Sequence, residues 1–416
     1  MKSQQQQTAA ADSEVRALVG RLHNLHEIFR VQGEILSYGE ETIDPLAELL
    51  LCPPSTFPEP RVAAAECLGA IGGDKAVAAL IRVLDYYDLR AMGPVQRFAE
   101  ETVRNAAARR LARFRHARVI DALLSSLKRD HLIGAGEALA ALGETAAIPH
   151  LIECLEDDVK KYKATEALLS FGQPAVPYLE NALSQPRWVE GAEPPLSQER
   201  RARVAELLGQ LKTGDSLSAL KHGLHDGIPR VRVACALSLA GLQAAEASDA
   251  IPELITGLED SDLLVRTNCE ESLIKMGTAA IPLLAQGAVG EMLHLPYGEE
   301  ATLDLRGRTA AIKVLGTIRS TEAVPYLISL LDDPDEMIRF RTVVALRGFA
   351  NNQVLAPLKR IAGRDLSKTV RTEARAIIEG KVDSEVRSNK LKSAREKTFR
   401  LIRIILTDAK QILHQH

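Results

Sequence analysis

Asp157, Asp262 and Asp335 each stand four residues before a basic residue, Lys161, Arg266 and Arg339, and Asp226 stands six before Arg232. A carboxylate fixed beside a cation is what general acid–base chemistry uses, and what holds a charged substrate. The spacing recurs along the chain, however. A catalytic constellation is needed once, whereas a contact between like units is needed at every joint, so these pairs read as structure. Glu66, Glu137, Glu166, Glu206 and Glu271 form a further acidic column, preceded by Ala65, Gly136, Thr165, Ala205 and Glu270 rather than histidine. The one His-Glu pair, His26-Glu27, has His23 three residues earlier, and H-x-x-H-E alone is too little for a metal site. No phosphate-binding loop, dinucleotide turn or nucleophile elbow occurs in a strand–turn–helix setting. The expectation is no catalytic residue, no cofactor and no metal.

The elements that must position these residues are helices. Ile148, Leu151, Ile152 and Leu155 are spaced i, i+3, i+4 and i+7, one buried stripe of an amphipathic helix. Proline follows an apolar residue at Pro149, Pro177, Pro252, Pro282 and Pro325, where a first helical turn needs no amide donor. An acidic turn comes next, as in Glu259-Asp260-Ser261-Asp262 or Asp332-Asp333-Pro334-Asp335, and can cap a second helix. That second helix reads V-R-x-x-A-x-x-A-L and ends at Gly72, Gly143, Gly172 or Gly277. Units of this kind start near Ile43, Val77, Ile120, Ile148, Val176, Leu217, Ile251, Ile281, Val324 and Leu355, the period of a stacked helical repeat.

These units resemble HEAT repeats, in particular the short HEAT-like type of phycobilisome lyases. The resemblance covers about residues 43 to 380 and implies an all-α, right-handed α-solenoid of about ten helix pairs. It also implies a hydrogen-bonded ladder in which an Asp of each turn meets an Arg at the start of the second helix. The basic column here is Arg61, Arg104, Lys161, Arg201, Arg232, Arg266, Arg308, Arg339 and Arg371, with Leu132 departing from it. Asp262 and Asp335 are the expected acids, together with Asp157 and, at a different spacing, Asp226. Some HEAT-like proteins resembling deoxyhypusine hydroxylase hold iron on His-Glu pairs of the second helix, and the histidines are missing here.

Composition agrees with small packing units rather than one large core. The chain has 416 residues, 46% hydrophobic but only 4% aromatic, with a formal net charge of −3. No global basic field exists to hold nucleic acid. Cys52, Cys67, Cys154, Cys235 and Cys269 are odd in number and contain no C-x-x-C pair, as expected of reduced core thiols in a cytoplasmic protein. No secretory signal or transmembrane run is recognised.

Residues 1–12 are Gln- and Ala-rich and are expected to be disordered; 13–42 are expected to form a capping helix. Residues 43–380 carry the repeats, and 381–416 form a basic amphipathic segment that reads as a C-terminal cap, a partner helix or a membrane-surface helix. Three units have long internal connections, beginning at Asp85, Ser184 and Val289, and these hold Tyr86, Tyr87, Phe98, Trp188 and Tyr297; Phe57 lies in a shorter one. Aromatics in such places are typical interface anchors. Arg109, Arg110 and Arg113 lie in an arginine cluster that could receive acidic or phosphorylated segments. The function expected is a non-catalytic protein-binding scaffold or adaptor, with Tyr86, Tyr87, Trp188, Tyr297 and the three arginines as contacts. A bilin lyase-like subunit acting on a phycobiliprotein is the alternative, followed by a nucleic-acid binder.

Overall fold

The computed structural model describes residues 13–213, 216–242, 248–295, 300–349 and 352–379. It is an all-α solenoid of paired antiparallel helices, divided into two compact units: Met1–Ala250 with Asp262–Asn268, and Ile251–Ser261 with Cys269–His416. The residues 1–12, Tyr297 and the basic segment 381–416 discussed above lie outside the described residues.

The first unit opens with a helix over residues 13–20, a short turn Arg21–His23 and a second helix Ile28–Tyr38. The single capping helix expected over 13–42 is therefore broken. Asn24 is extended, and its side-chain oxygen accepts from the His26 N–H at 3.2 Å, a local turn that competes with helix. Val15, Leu18, Val19, Leu22, Val31 and Ile35 are nevertheless buried against the first repeat. Six pairs follow: Ile43–Leu50 with Glu59–Ile71, Gly73–Val83 with Pro94–Leu111, Ala117–Asp130 with Ile133–Leu142, Ile148–Glu153 with Lys161–Phe171, Val176–Ser184 with Pro195–Leu211, and Ser216–Gly223 with Pro229–Leu239. First helices pack on first helices and second on second, two parallel layers with the core between them. The seventh pair, Ile251–Thr256 and Leu263–Met276, is where the division falls. The second unit continues with Ile281–Val289 and Leu305–Ile318, Val324–Ser329 and Glu336–Leu346, and Asn352–Arg364 and Lys368–Ile378.

The local causes are those of the sequence. Proline occupies the first turn of Ile148–Glu153, Val176–Ser184 and Val324–Ser329. Asp335 caps Glu336–Leu346, its Oδ1 accepting from the Met337 and Ile338 N–H groups at 2.7 and 3.2 Å. Gly143 closes Ile133–Leu142 in the left-handed region, with the Glu144 N–H reaching back to the Leu139 carbonyl at 3.0 Å. Each fully buried leucine of the stripe, such as Leu151 or Leu179, contributes about 1.5–3 kcal/mol.

The stretch Leu263–Val289 is apolar enough by composition to cross a membrane, and half of its most apolar 18-residue window is buried. It is two helices, Leu263–Met276 and Ile281–Val289, interrupted at Gly277 with φ +62°. Its composition is that of a packed repeat rather than of one continuous span.

Second helices approach most closely where a side chain is missing. A Cβ built on Gly209 would lie 2.5 Å from the Ser238 Cβ and 2.8 Å from its Cα, and the Ser238 hydroxyl donates to the Ala205 carbonyl at 2.8 Å. Backbone must move to admit even one methyl. Gly209→Ala is expected to lower unfolding stability by about 1–3 kcal/mol in urea titration. Gly33→Ala meets nothing within 4 Å and lies in a helix, so it should leave stability unchanged or raise it by up to about 1 kcal/mol. Equal effects of the two substitutions would refute the close approach.

Candidate functional site

The basic column builds a chain of contacts running from pair to pair. In the second unit, Arg308 donates through Nε to the Ala288 carbonyl at 2.9 Å and through Nη2 to Asp333 of the following turn. Arg339 donates through Nη1 to the Asp333 carbonyl at 2.9 Å, and its Nε and Nη2 grip Asp365 of the next turn at 2.8 and 3.2 Å. Arg371 then donates to the Asp365 carbonyl at 2.5 Å. One residue thus serves two neighbours: its carboxylate takes the preceding arginine and its carbonyl takes the following one. Burial alone would raise the Asp365 carboxyl, but Arg339 and the Ser367 N–H hold it below the ordinary carboxylate value.

The acid doing this stands six residues before the arginine, not four. Asp226, Asp333 and Asp365 hold the place, whereas Asp335, expected in the ladder, has its oxygen committed to capping its own helix. Asp262 likewise accepts from the Leu264 and Val265 N–H groups at 2.7 and 3.2 Å, and the Arg266 N–H donates to its carbonyl at 3.2 Å. Lys161 pairs with Asp158 at 2.6 Å within its own turn; Lys160 instead reaches the Asp130 carbonyl at 3.4 Å.

In the first unit two glutamates join Asp226 in this job, Glu100 within the helix Pro94–Leu111 and Glu193 in the fifth connection. Glu100 is fully buried, with Arg61 Nη1 at 2.5 Å and Arg104 Nε at 3.3 Å, and Arg104 continues to Asp130 at 3.4 Å. Glu193 takes Arg201 at 2.8 Å and the Ser197 hydroxyl at 2.7 Å, while Arg201 also reaches Asp226. Arg232 donates to the Asp226 carbonyl at 2.8 Å. The connections are shorter than the sequence suggested, because Pro94 and Pro195 already begin helices; the fifth closes on a Val189–Ala192 bridge and the eighth on a strand pair, Leu293–His294 with Glu300–Ala301.

The candidate contact residues separate in two. Tyr87 is half-buried and engaged within the chain: its hydroxyl donates to the Leu51 carbonyl at 2.8 Å and its carbonyl accepts from Arg104. Arg109 pairs with Glu137 at 2.6 Å, Arg110 with Glu66 at 2.8 Å, and Arg113 donates to the Gly69 carbonyl at 3.2 Å. These arginines are tied across the second-helix layer, with Arg109 and Arg110 about half exposed. Of the acidic column, Glu66 also accepts from Gln32 at 3.0 Å across the layer, whereas Glu166 pairs with Lys163 at 2.7 Å within its own helix. Among the described residues no group of three or more His, Cys, Asp and Glu side chains is placed to hold a metal ion.

Trp188 is different. It is 66% exposed, and Tyr86 is 42% exposed, standing edge-on to Tyr87 at 4.8 Å with the Arg82 guanidinium 4.8 Å from its ring. Phe57, Phe98, Val159, Tyr162 and Leu196 are exposed as well, all in connections or the first turns of second helices. Sequence reasoning missed the last three, although each sits next to a recognised helix start. In the second unit Leu305, Met337 and Leu366 occupy the corresponding edge.

A model of HEAT repeats matches residues 95–171, 185–274 and 303–378, more than half of the chain. The chain belongs to the HEAT-repeat family. A model of the PBS lyase HEAT-like repeat matches residues 60–86, the length of one repeat. A search of curated proteins finds no match for this HEAT-repeat chain. Similar solved structures include an engineered protein, 16% identical over 88% of this chain and 98% of that one, with a TM-score of 0.32. Human deoxyhypusine hydroxylase in complex with glycerol is 20% identical over 76% and 98%, with a TM-score of 0.25. Importin beta is 13% identical over 88% and 55%, with a TM-score of 0.39, so the chain spans about half of its length. These are likenesses of fold.

Proposed function

We propose that this HEAT-repeat protein is a non-catalytic scaffold that binds other proteins along the edge where first helices turn into second helices. The exposed Trp188 carries the reading, since a large side chain left in water in a connection closed by the Val189–Ala192 bridge suits the centre of an interface. The charged groups give the opposite signal. The acids and arginines described above are engaged with one another, which suits the joints of a scaffold better than the machinery of a reaction.

The test is affinity purification from the native cell with the unaltered chain and Trp188→Ala side by side. An anchor of this kind is worth about 2 kcal/mol, so a partner should be retained roughly thirtyfold less well. Stability should change by no more than about 0.5 kcal/mol, since the side chain lies at the surface. Unchanged retention with unchanged helical circular dichroism refutes the edge as the binding surface. A change in absorption on mixing the protein with a bilin and an apo-phycobiliprotein would favour a lyase instead.

A further inference from the structure

Arg109 and Arg110, neighbours in the helix Pro94–Leu111, are only partly used. Arg109 spends Nε on Glu137 at 2.6 Å and Arg110 spends Nη2 on Glu66 at 2.8 Å; among the described residues no other hydrogen bond engages the remaining N–H groups of either guanidinium. Those groups are within reach of solvent, the two side chains being 49% and 43% exposed. The acids are already shared. Glu66 has its second oxygen on Gln32 at 3.0 Å, and the second oxygen of Glu137 faces Lys163 at 3.9 Å. The course of Arg110 is fixed by a missing side chain: a Cβ built on Gly69 would lie 2.7 Å from the Arg110 Cγ and 3.0 Å from its Cδ, so only glycine lets that stem lie along Glu59–Ile71 and bring its head to Glu66.

Both arginines line one groove of about 310 Å³ in the second-helix layer, together with Val62, Glu66, Thr102 and Ala106. The Thr102 hydroxyl is committed to the Phe98 carbonyl at 2.8 Å, and Val62 and Ala106 supply methyl groups, so the groups with bonds left to give are the guanidinium N–H groups. Charge then decides the occupant. The contacts joining these helices link Arg109, Arg110 and Lys163 to Glu66, Glu137 and Glu166, while Arg113 enters through the Gly69 carbonyl with no acid of its own. The network is thus one positive charge in excess. Spare donors and a single surplus cation suit an acceptor-only monoanion, which a carboxylate is. The same glutamates oppose a chain of phosphodiesters.

We propose that this groove takes an acidic segment of a partner protein, with a Glu or Asp carboxylate accepting from the spare N–H groups of Arg109 and Arg110 and an apolar neighbour lying against Val62 and Ala106. The proposal rests on the scaffold reading and adds a charged contact on the second-helix layer to the edge at Trp188.

The probe is a fluorescein-labelled Glu-Leu-Glu-Leu amide, titrated with the full chain at low salt and followed by fluorescence anisotropy. A dissociation constant below about 1 mM is expected, with the matching Gln-Leu-Gln-Leu amide bound about tenfold less tightly. Arg109→Gln should weaken the acidic peptide about tenfold. Lys163→Gln removes the same charge from the same layer outside the groove, and should change binding by less than about twofold. Ala106→Leu keeps every charge but fills the groove, and should also cost about tenfold, with helical circular dichroism unchanged in all three variants. Equal binding of the two peptides, equal losses in Arg109→Gln and Lys163→Gln, or undiminished binding in Ala106→Leu each overturns the proposal. A phosphoserine peptide of the same design that bound about tenfold more tightly than the glutamate one would overturn the carboxylate in favour of a phosphate. Failure of the acidic peptide to bind, alongside loss of partner retention in Trp188→Ala, would remove the groove and leave the scaffold reading standing.

Discussion

Replacing Glu100 by alanine is expected to remove about 3–5 kcal/mol of stability from the repeats around it, the largest effect of any single change considered. The carboxylate is wholly out of water and is shared by two arginines, Arg61 at 2.5 Å and Arg104 at 3.3 Å, themselves almost inaccessible. Deleting it strands two cations in a medium that solvates them poorly, and the loss exceeds what the pair contributes against an apolar substitute. Glu100→Gln keeps the shape and part of the hydrogen bonding, and should fall between the two. Native-state hydrogen exchange of Glu59–Ile71 and Pro94–Leu111 is the measurement, because local opening is resolved there from unfolding elsewhere. A loss under about 1 kcal/mol would mean that water reaches the site and that Glu100 is not a keystone of the first repeats.

Asp365→Ala comes next, at about 3 kcal/mol, and its effect should be confined to the final pair. The aspartate receives Arg339 through two nitrogens and the Ser367 N–H at 2.8 Å, and its carbonyl takes Arg371. The side-chain contacts alone are lost, so Lys368–Ile378 should exchange faster while the preceding helices are less affected. The same residue fixes a pH dependence. Its folded value lies below the unfolded one, near 3.9, so the stabilisation is complete above that unfolded value and fades as pH falls through the depressed folded one. Wild type and Asp365→Ala should therefore differ most near neutrality and converge in acid. A difference that held constant down to pH 2 would assign the effect to packing instead of charge.

Much of this fold was legible. The apolar stripe, the proline after its first residue and the glycine at the end of the second helix placed most pairs within a few residues, because each is a local requirement of helix geometry. The ladder acid was harder. Both aspartates of Asp333-Pro334-Asp335 look eligible, and each keeps one oxygen clear of amides; they differ in place, Asp335 turning its Oδ1 to the start of its own helix and Asp333 taking the Asp335 N–H on one oxygen and Arg308 on the other. The D-x-D spacing was the available clue. Glu193 was hidden because it replaces that aspartate from within a connection that has no repeat register, and Glu100 because it does so from within the helix Pro94–Leu111, four residues before Arg104. Trp188 could be named from sequence as a candidate anchor, but its exposure depends on how its connection folds; Tyr87, in the connection of the second pair, is half-buried with its hydroxyl on the Leu51 carbonyl.

The two-sided aspartate also governs how such an array can grow or shrink. Since every standard turn presents a carboxylate backward and a carbonyl forward, excising or duplicating the stretch between two such turns leaves matching ends, whereas a cut through half a repeat leaves a lone guanidinium at the seam. Gain or loss of one whole module is therefore expected to cost less stability in the Asp333 to Asp365 region than in the early part of the chain, where Glu100 and Glu193 make bespoke junctions.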